Sequence, residues 1–102
     1  MAKFVLAYQG GSMAETPEAQ DEVMQAWMGW FGALGAAVLD GGNPFCASTT
    51  VQADGSVGAA TAALTGYSVI EADSLDHAAE LAGGCPVLGA GGSVEVYETM
   101  PM

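Results

Sequence analysis

Arginine is absent from this 102-residue chain, and Lys3 is its only lysine. Nucleic-acid binding depends on Lys and Arg to release counterions from phosphates. An anionic membrane surface attracts proteins through the same residues. Both partner classes are excluded. Without arginine no phosphate or carboxylate can be clamped by a paired fork. An anion would have to rely on backbone N–H groups, a helix start or Lys3. Twelve acidic residues leave a net charge of −11, which favours solubility and mutual repulsion. Histidine occurs once, as His77, and cysteine twice, as Cys46 and Cys85. With no C-x-x-C pair and no companion His at ligand spacing, no metal site is predicted. The two thiols read as buried or half-buried groups in a reducing compartment. A weaker alternative makes Cys46 a redox sensor, although no cation lies nearby in sequence to lower its pKa. No apolar run approaches the roughly 18 residues of a membrane span. No basic, apolar leader opens the sequence. The expectation is a cytoplasmic protein.

What is present suits one domain. Half the residues are apolar, enough for a single core at this length. Residues 3–8 read as an inner strand, with Phe4, Leu6 and Tyr8 on one face and Val5 and Ala7 on the other. Gln9-Gly10-Gly11-Ser12 ends it. Thr16-Pro17-Glu18 combines a capping hydroxyl, a first-turn proline and an acid near the positive helix end. The helix is predicted to run to Leu34, with Gly35 as its stop. Val23, Trp27, Phe31 and Leu34 make one apolar face. Met24, Met28 and Trp30 widen it beyond what a sheet needs, which points to a pocket wall or a partner surface.

A second strand is predicted over 36–40 and a short third over 49–53, closed by the Asp54-Gly55 turn. Residues 55–63 read as a loop. Residues 65–72 form a strand, with Tyr67 and Val69 opposed to Ser68 and Ile70. Asp73 or Ser74 caps a helix to Ala82, which Gly83-Gly84 stops and Pro86 keeps from continuing. A last strand spans 93–99. Two β-α-β crossovers in one small α+β domain make the ferredoxin-like split arrangement, with an extra short strand. Right-handed crossovers put both helices on one face of the antiparallel sheet. The other face is left open. A homodimer packed through that open sheet face is the economical way to cover it.

Asp40 closes the second strand and leads into Gly41-Gly42-Asn43-Pro44-Phe45. It reads either as a carboxylate with a raised pKa, fit for proton exchange, or as an acid that caps its own turn. Gly41 and Gly42 either offer N–H groups to an anion or supply positive φ. Asn43-Pro44 initiates a turn. Trp27 and Trp30 either stack on a planar ligand or pack in the core or a dimer contact. Tyr8 and Tyr67 share a sheet face in this reading, and either could orient a ligand. His77 reads as a surface residue of the second helix. No nucleophile-base set and no nucleotide fingerprint are present.

The run Leu39-Asp40-Gly41-Gly42-Asn43-Pro44-Phe45, followed by Thr49-Thr50-Val51 and Asp54-Gly55, resembles the YCII-related family, in its branch named for a DGPF-type motif. Gly66 to Ala72 with Leu75, and Cys85-Pro86-Val87-Leu88 with Val94 to Tyr97, are similar to the same branch. The likeness covers nearly the whole chain. It implies a dimeric α+β barrel and a cofactor-free pocket between the sheet and the first helix, near the Asp-Gly-Gly turn. Tyr8, Trp27, Gly41, Gly42, Asn43, Phe45 and Tyr67 are the candidate ligand contacts, and Asp40 the candidate catalytic group. The ligand class is a small organic acid, lactone or aromatic. The alternative is a non-catalytic interaction module without a pocket. Members of the family typically carry a His in the first helix, proposed to pair with an Asp. Residues 17–34 here have none, and Met24 stands roughly where it would fall.

Overall fold

The computed structural model describes residues 2–10, 15–60 and 64–101. Four strands form one antiparallel sheet: β1 (Ala2–Gln9), β2 (Val38–Asp40), β5 (Leu64–Ala72) and β6 (Ser93–Glu98), in the order β2-β5-β1-β6. Helix α1 (Pro17–Leu34) joins β1 to β2, and α2 (Leu75–Ala82) joins β5 to β6. Each crossover skips one strand, so the two units interleave, and the fold is ferredoxin-like α+β.

The predicted starts and stops follow local chemistry. The Thr16 hydroxyl accepts from the Ala19 N–H at 3.1 Å, Pro17 takes the first helical position, and Gly35 ends α1 at φ 58°. Ser74, not Asp73, caps α2, accepting from His77 N–H at 3.1 Å.

Elsewhere the outcome differs from the sequence reading. Gly35–Ala37 is a turn of 3-10 helix, so β2 starts only at Val38. The third strand shrinks to β3 (Thr50–Val51), and part of the predicted loop pairs with it as β4 (Val57–Gly58). Residues 61–63 of that loop, and Gly11 and Ser12 after β1, lie outside the described residues. Pro86 does not merely block α2. It opens a further short helix, α3 (Pro86–Gly89), because a proline suits a helix start as well as it spoils an interior.

Register decides what each face carries. Phe4 pairs with Ile70, Leu6 with Ser68 and Tyr8 with Gly66, all facing the helices. Phe4, Leu6 and Ile70 are fully buried there with Trp30, Ala78, Ala82, Cys85 and Val87. The opposite face carries Val5 with Val69 and Tyr97, Ala7 with Tyr67 and Glu95, and Lys3 with Glu71. That face is mixed rather than uniformly apolar. It also separates Tyr67 from Tyr8, correcting the expectation that they share a face: Tyr67 pairs with Ala7, one residue out of phase with Tyr8.

The chain is spread out for its size. Its radius of gyration is 14.9 Å, against about 13 Å for a compact domain of this length. Its accessible surface is 6840 Å², against about 5300 Å² for a folded monomer of this mass.

Candidate functional site

The site starts from how α1 meets the sheet. Trp30 is its one buried residue among those described, and the indole N–H donates to the Leu81 carbonyl at 3.0 Å. Gly84 makes room: a Cβ there would lie 3.1 Å from the Trp30 ring. Trp27, one turn earlier, meets Tyr8 edge-on with ring centres 5.0 Å apart, and contacts Trp30 and Phe31. These rings hold the helix away from the sheet, because edge-to-face aromatics need centroid separations of 4.5–7 Å. Met24 and Met28 are left outside, 62% and 66% exposed.

The opposite wall is backbone. A β-bulge lies between Val38 and Asp40: Val38 pairs with Ile70, but Asp40 pairs with Val69. The extra residue moves Asp40 off the position opposite Ser68 and onto the far face of the sheet. There it is exposed, and its carboxylate accepts from the Gly42 N–H at 2.8 Å. This is a turn-forming bond of the Asx type. Gly42 sits at φ 72°, and a Cβ on it would fall 1.7 Å from the Tyr67 carbonyl oxygen. Positive φ and that contact both demand glycine. Residues 43–45 then run beside β5: Tyr67 N–H donates to the Asn43 carbonyl at 3.4 Å, and Phe45 N–H to that of Thr65 at 2.8 Å. Gly66 allows the approach, since a Cβ would lie 3.2 Å from the Asn43 oxygen.

Between helix and turn lies a groove of about 690 Å³, lined by Tyr8, Val23, Met24, Trp27, Phe31, Gly41, Gly42, Asn43, Pro44 and Tyr67, among others. It adjoins a second, more exposed hollow of about 880 Å³, reached past Val23, Trp27 and Pro44 and lined further by Phe45 and Cys46. Tyr8, Trp27, Gly41, Gly42, Asn43 and Tyr67 thus converge on the first groove, and Phe45 borders its neighbour, where its ring stacks on Tyr67. Asp40 lines neither.

Beneath the groove runs a buried chain of hydroxyls. Tyr8 donates to Ser68 at 2.7 Å, and Ser68 donates to the Gly41 carbonyl at 2.7 Å. Ser68 is fully buried. Its sequence signal was a polar residue in phase with Ile70 and Ala72, on a core-facing position that requires a partner. The Tyr8 hydroxyl is pushed up to about 12 chiefly by burial; the Ser68 hydrogen bond pulls the other way, and the neighbouring Cys85 adds the smallest push upward. Burial also pushes the Cys85 thiol up to about 11, which keeps it an unreactive thiol. Cys46, expected at least half-buried, is exposed.

His77 lies away from the groove on α2. Its Nδ1 accepts the Asp73 N–H at 3.1 Å, so that nitrogen carries no proton and the neutral ring has its proton on Nε2. Its 3.8 Å approach to the Asp73 carboxylate is therefore no ion pair in that tautomer. Among the described residues no three His, Cys, Asp or Glu converge as a metal site, and no helix is long and apolar enough to cross a membrane.

The model of the YCII-related domain matches residues 1–102. The chain belongs to the YCII-related family. No curated protein and no solved structure matches it. In this YCII-related chain the first-helix position noted above is Met24, which lines the groove. The groove wall there is thioether rather than imidazole, an apolar side chain with no titratable proton.

Proposed function

We propose that this YCII-related protein binds a small organic molecule, an acid, lactone or aromatic, in the groove between α1 and the 41–44 turn. The observation that carries the reading is the composition of its walls. One is a run of rings and thioethers, Tyr8, Trp27, Phe31 and Met24, and the other is glycine-rich backbone. A volume of about 690 Å³ lies within the range of roughly 300–1,000 Å³ typical of ligand sites. Trp27 supplies the stacking surface and Tyr8 the polar end. Gly41, Gly42 and Asn43 form the rim, with Phe45 and Tyr67 at its outer edge. Asp40 serves by holding the turn. Trp27 fluorescence gives a direct test: aromatic probes should quench it saturably, and Trp27→Ala should abolish the response while the fold persists. A probe panel that leaves the signal unchanged would refute the reading.

A second reading concerns assembly. The surplus surface of this chain supports a homodimer, since a standard interface covers about 800 Å² per partner. The open face, with Val5, Val69 and Tyr97, is the proposed contact. Tyr97 donates to the Glu95 carboxylate on that face, and its hydroxyl pKa is raised chiefly by this bond. Sedimentation at micromolar concentration should give a dimer that strengthens with salt, because two protomers of charge −11 repel. A monomer at every salt concentration would remove this second reading.

A further inference from the structure

The buried hydroxyl chain has only one possible direction. A carbonyl oxygen has no proton, so the Ser68–Gly41 bond must use the Ser68 hydrogen. Ser68 then has none left for Tyr8, so the Tyr8–Ser68 bond must use the Tyr8 hydrogen. The Tyr8 oxygen therefore has lone pairs alone to offer any further partner. From this one-way chain we infer that the groove selects a neutral ligand carrying a hydrogen-bond donor, such as a phenol, alcohol or amide, and discriminates against carboxylates and against acceptor-only groups such as ethers and lactones at its Tyr8 end.

The inference rests on the binding reading above and narrows its ligand class: of the acids, lactones and aromatics named there, it keeps the neutral aromatics that carry a donor and sets the acids and lactones aside. Tyr8 lines the groove and remains 5% exposed. An acceptor brought against its oxygen would set two lone-pair carriers face to face, and a buried acceptor without a donor is destabilised by its lost hydration. A carboxylate fares worse. The chain has no arginine, and Lys3 lies in phase with Val5 on the opposite sheet face, paired with Glu71. The net charge of −11 adds long-range repulsion. Acceptors elsewhere on a ligand can still meet the Trp27 indole or the Asn43 amide, which carry protons. The discrimination is therefore local to the Tyr8 end. Gly41, whose carbonyl sets the direction, is itself among the residues that line the groove, so the turn that shapes the site also orients the chain.

The test compares phenol, anisole and benzoate, which share a ring and differ in the polar group, by titration calorimetry and Trp27 quenching. Phenol should bind roughly tenfold more tightly than anisole, the equivalent of one net hydrogen bond, and benzoate should not bind at millimolar concentration. Tyr8→Phe should weaken phenol to the anisole level and leave anisole within about twofold. Ser68→Ala frees the Tyr8 proton, so anisole should tighten toward phenol, a gain that loss of folding cannot mimic. Three probes binding equally in the wild type, or Tyr8→Phe weakening all of them alike, would overturn the polarity assignment while leaving the groove reading intact. Failure of all three to bind would overturn the groove reading and the assignment with it.

Discussion

Helices α1 and α2 cover the same sheet face by different means. Over its eight residues α2 turns Ala78 and Ala82 to the sheet, both essentially buried, and small side chains let backbone approach backbone. Over eighteen residues α1 buries Trp30 alone among those described and rests on Trp27, Phe31 and Trp30 as spacers. No residue of α2 lines either hollow. Wide packing under α1 leaves a groove, and the backbone turn at 40–44 closes its far side. The lesson is that helix length does not measure a helix's share of the core, and that the loosely seated element is where a small domain has space for a ligand.

The largest effect should come from the turn. Gly42→Ala places a methyl group 1.7 Å from a backbone oxygen at positive φ, with no flexible side chain able to give way. A loss of about 3 kcal/mol or more is expected, combining strain and overpacking. Urea unfolding measures it, and retention of wild-type stability would show that the groove wall is adaptable. Next is a direct contrast of the helices. Ala78→Leu under α2 should destabilise by about 2 kcal/mol, because the site has no vacancy to take three more carbons. Met28→Leu on the outer side of α1 should change stability by less than about 0.5 kcal/mol. Equal effects would mean that the helices are seated alike.

Alkaline pH probes the floor shared by both helices. Tyr8 and Cys85 are neutral when protonated, and their folded pKa values are raised to about 12 and about 11, from 10.0 and 9.0. The unfolded chain therefore releases these protons first as pH rises. Stability from this source is fully present below pH 9, declines between about 9 and 11 through Cys85, and declines further between about 10 and 12 through Tyr8. Cys85→Ala should flatten the first leg and Tyr8→Phe the second in denaturant midpoints measured against pH. A profile unchanged by either substitution would show that the loss arises elsewhere.

Much of this architecture was legible in the residues, and the exceptions have physical causes. Thr16-Pro17-Glu18 and Gly35 marked α1 because caps act within a few residues of the chain. Asp54-Gly55 marked a turn for the same reason: the Asp54 carboxylate accepts from the Ser56 N–H and hydroxyl, which also lower its pKa. The ladder of Val57 with Val51 escaped notice because its partner strand sits in a Gly, Ala, Ser and Thr background without periodicity. The helix at Pro86–Gly89 escaped because one turn carries no pattern, and proline serves as stop or start according to the tertiary setting. At the groove, the aromatic rings and the glycine turn that line it are residue types the sequence had singled out. What could not be read was register. The bulge that carries Asp40 to the far face, and the pairing that sets Ser68 beside Tyr8, depend on which strands meet and in what phase, and no local signal encodes that.

Asp40→Asn should have the smallest effect of all, and it sharpens the comparison most finely because it separates the turn's shape from its charge. The Asn side-chain oxygen can accept the Gly42 N–H as the carboxylate does, so the turn should persist. A stability change below about 0.5 kcal/mol is expected, as for exposed substitutions that keep their bond. Probe binding in the groove should also be unchanged, since Asp40 is not among the residues that line it. Asp40→Ala removes the acceptor as well and should destabilise by about 1 kcal/mol through the turn. If instead Asp40→Asn abolished binding with the fold intact, the carboxylate would have to reach the ligand. The bulge would then be a feature of the unliganded chain alone, and the groove's polarity would be set by an acid rather than by the one-way hydroxyl chain beneath it.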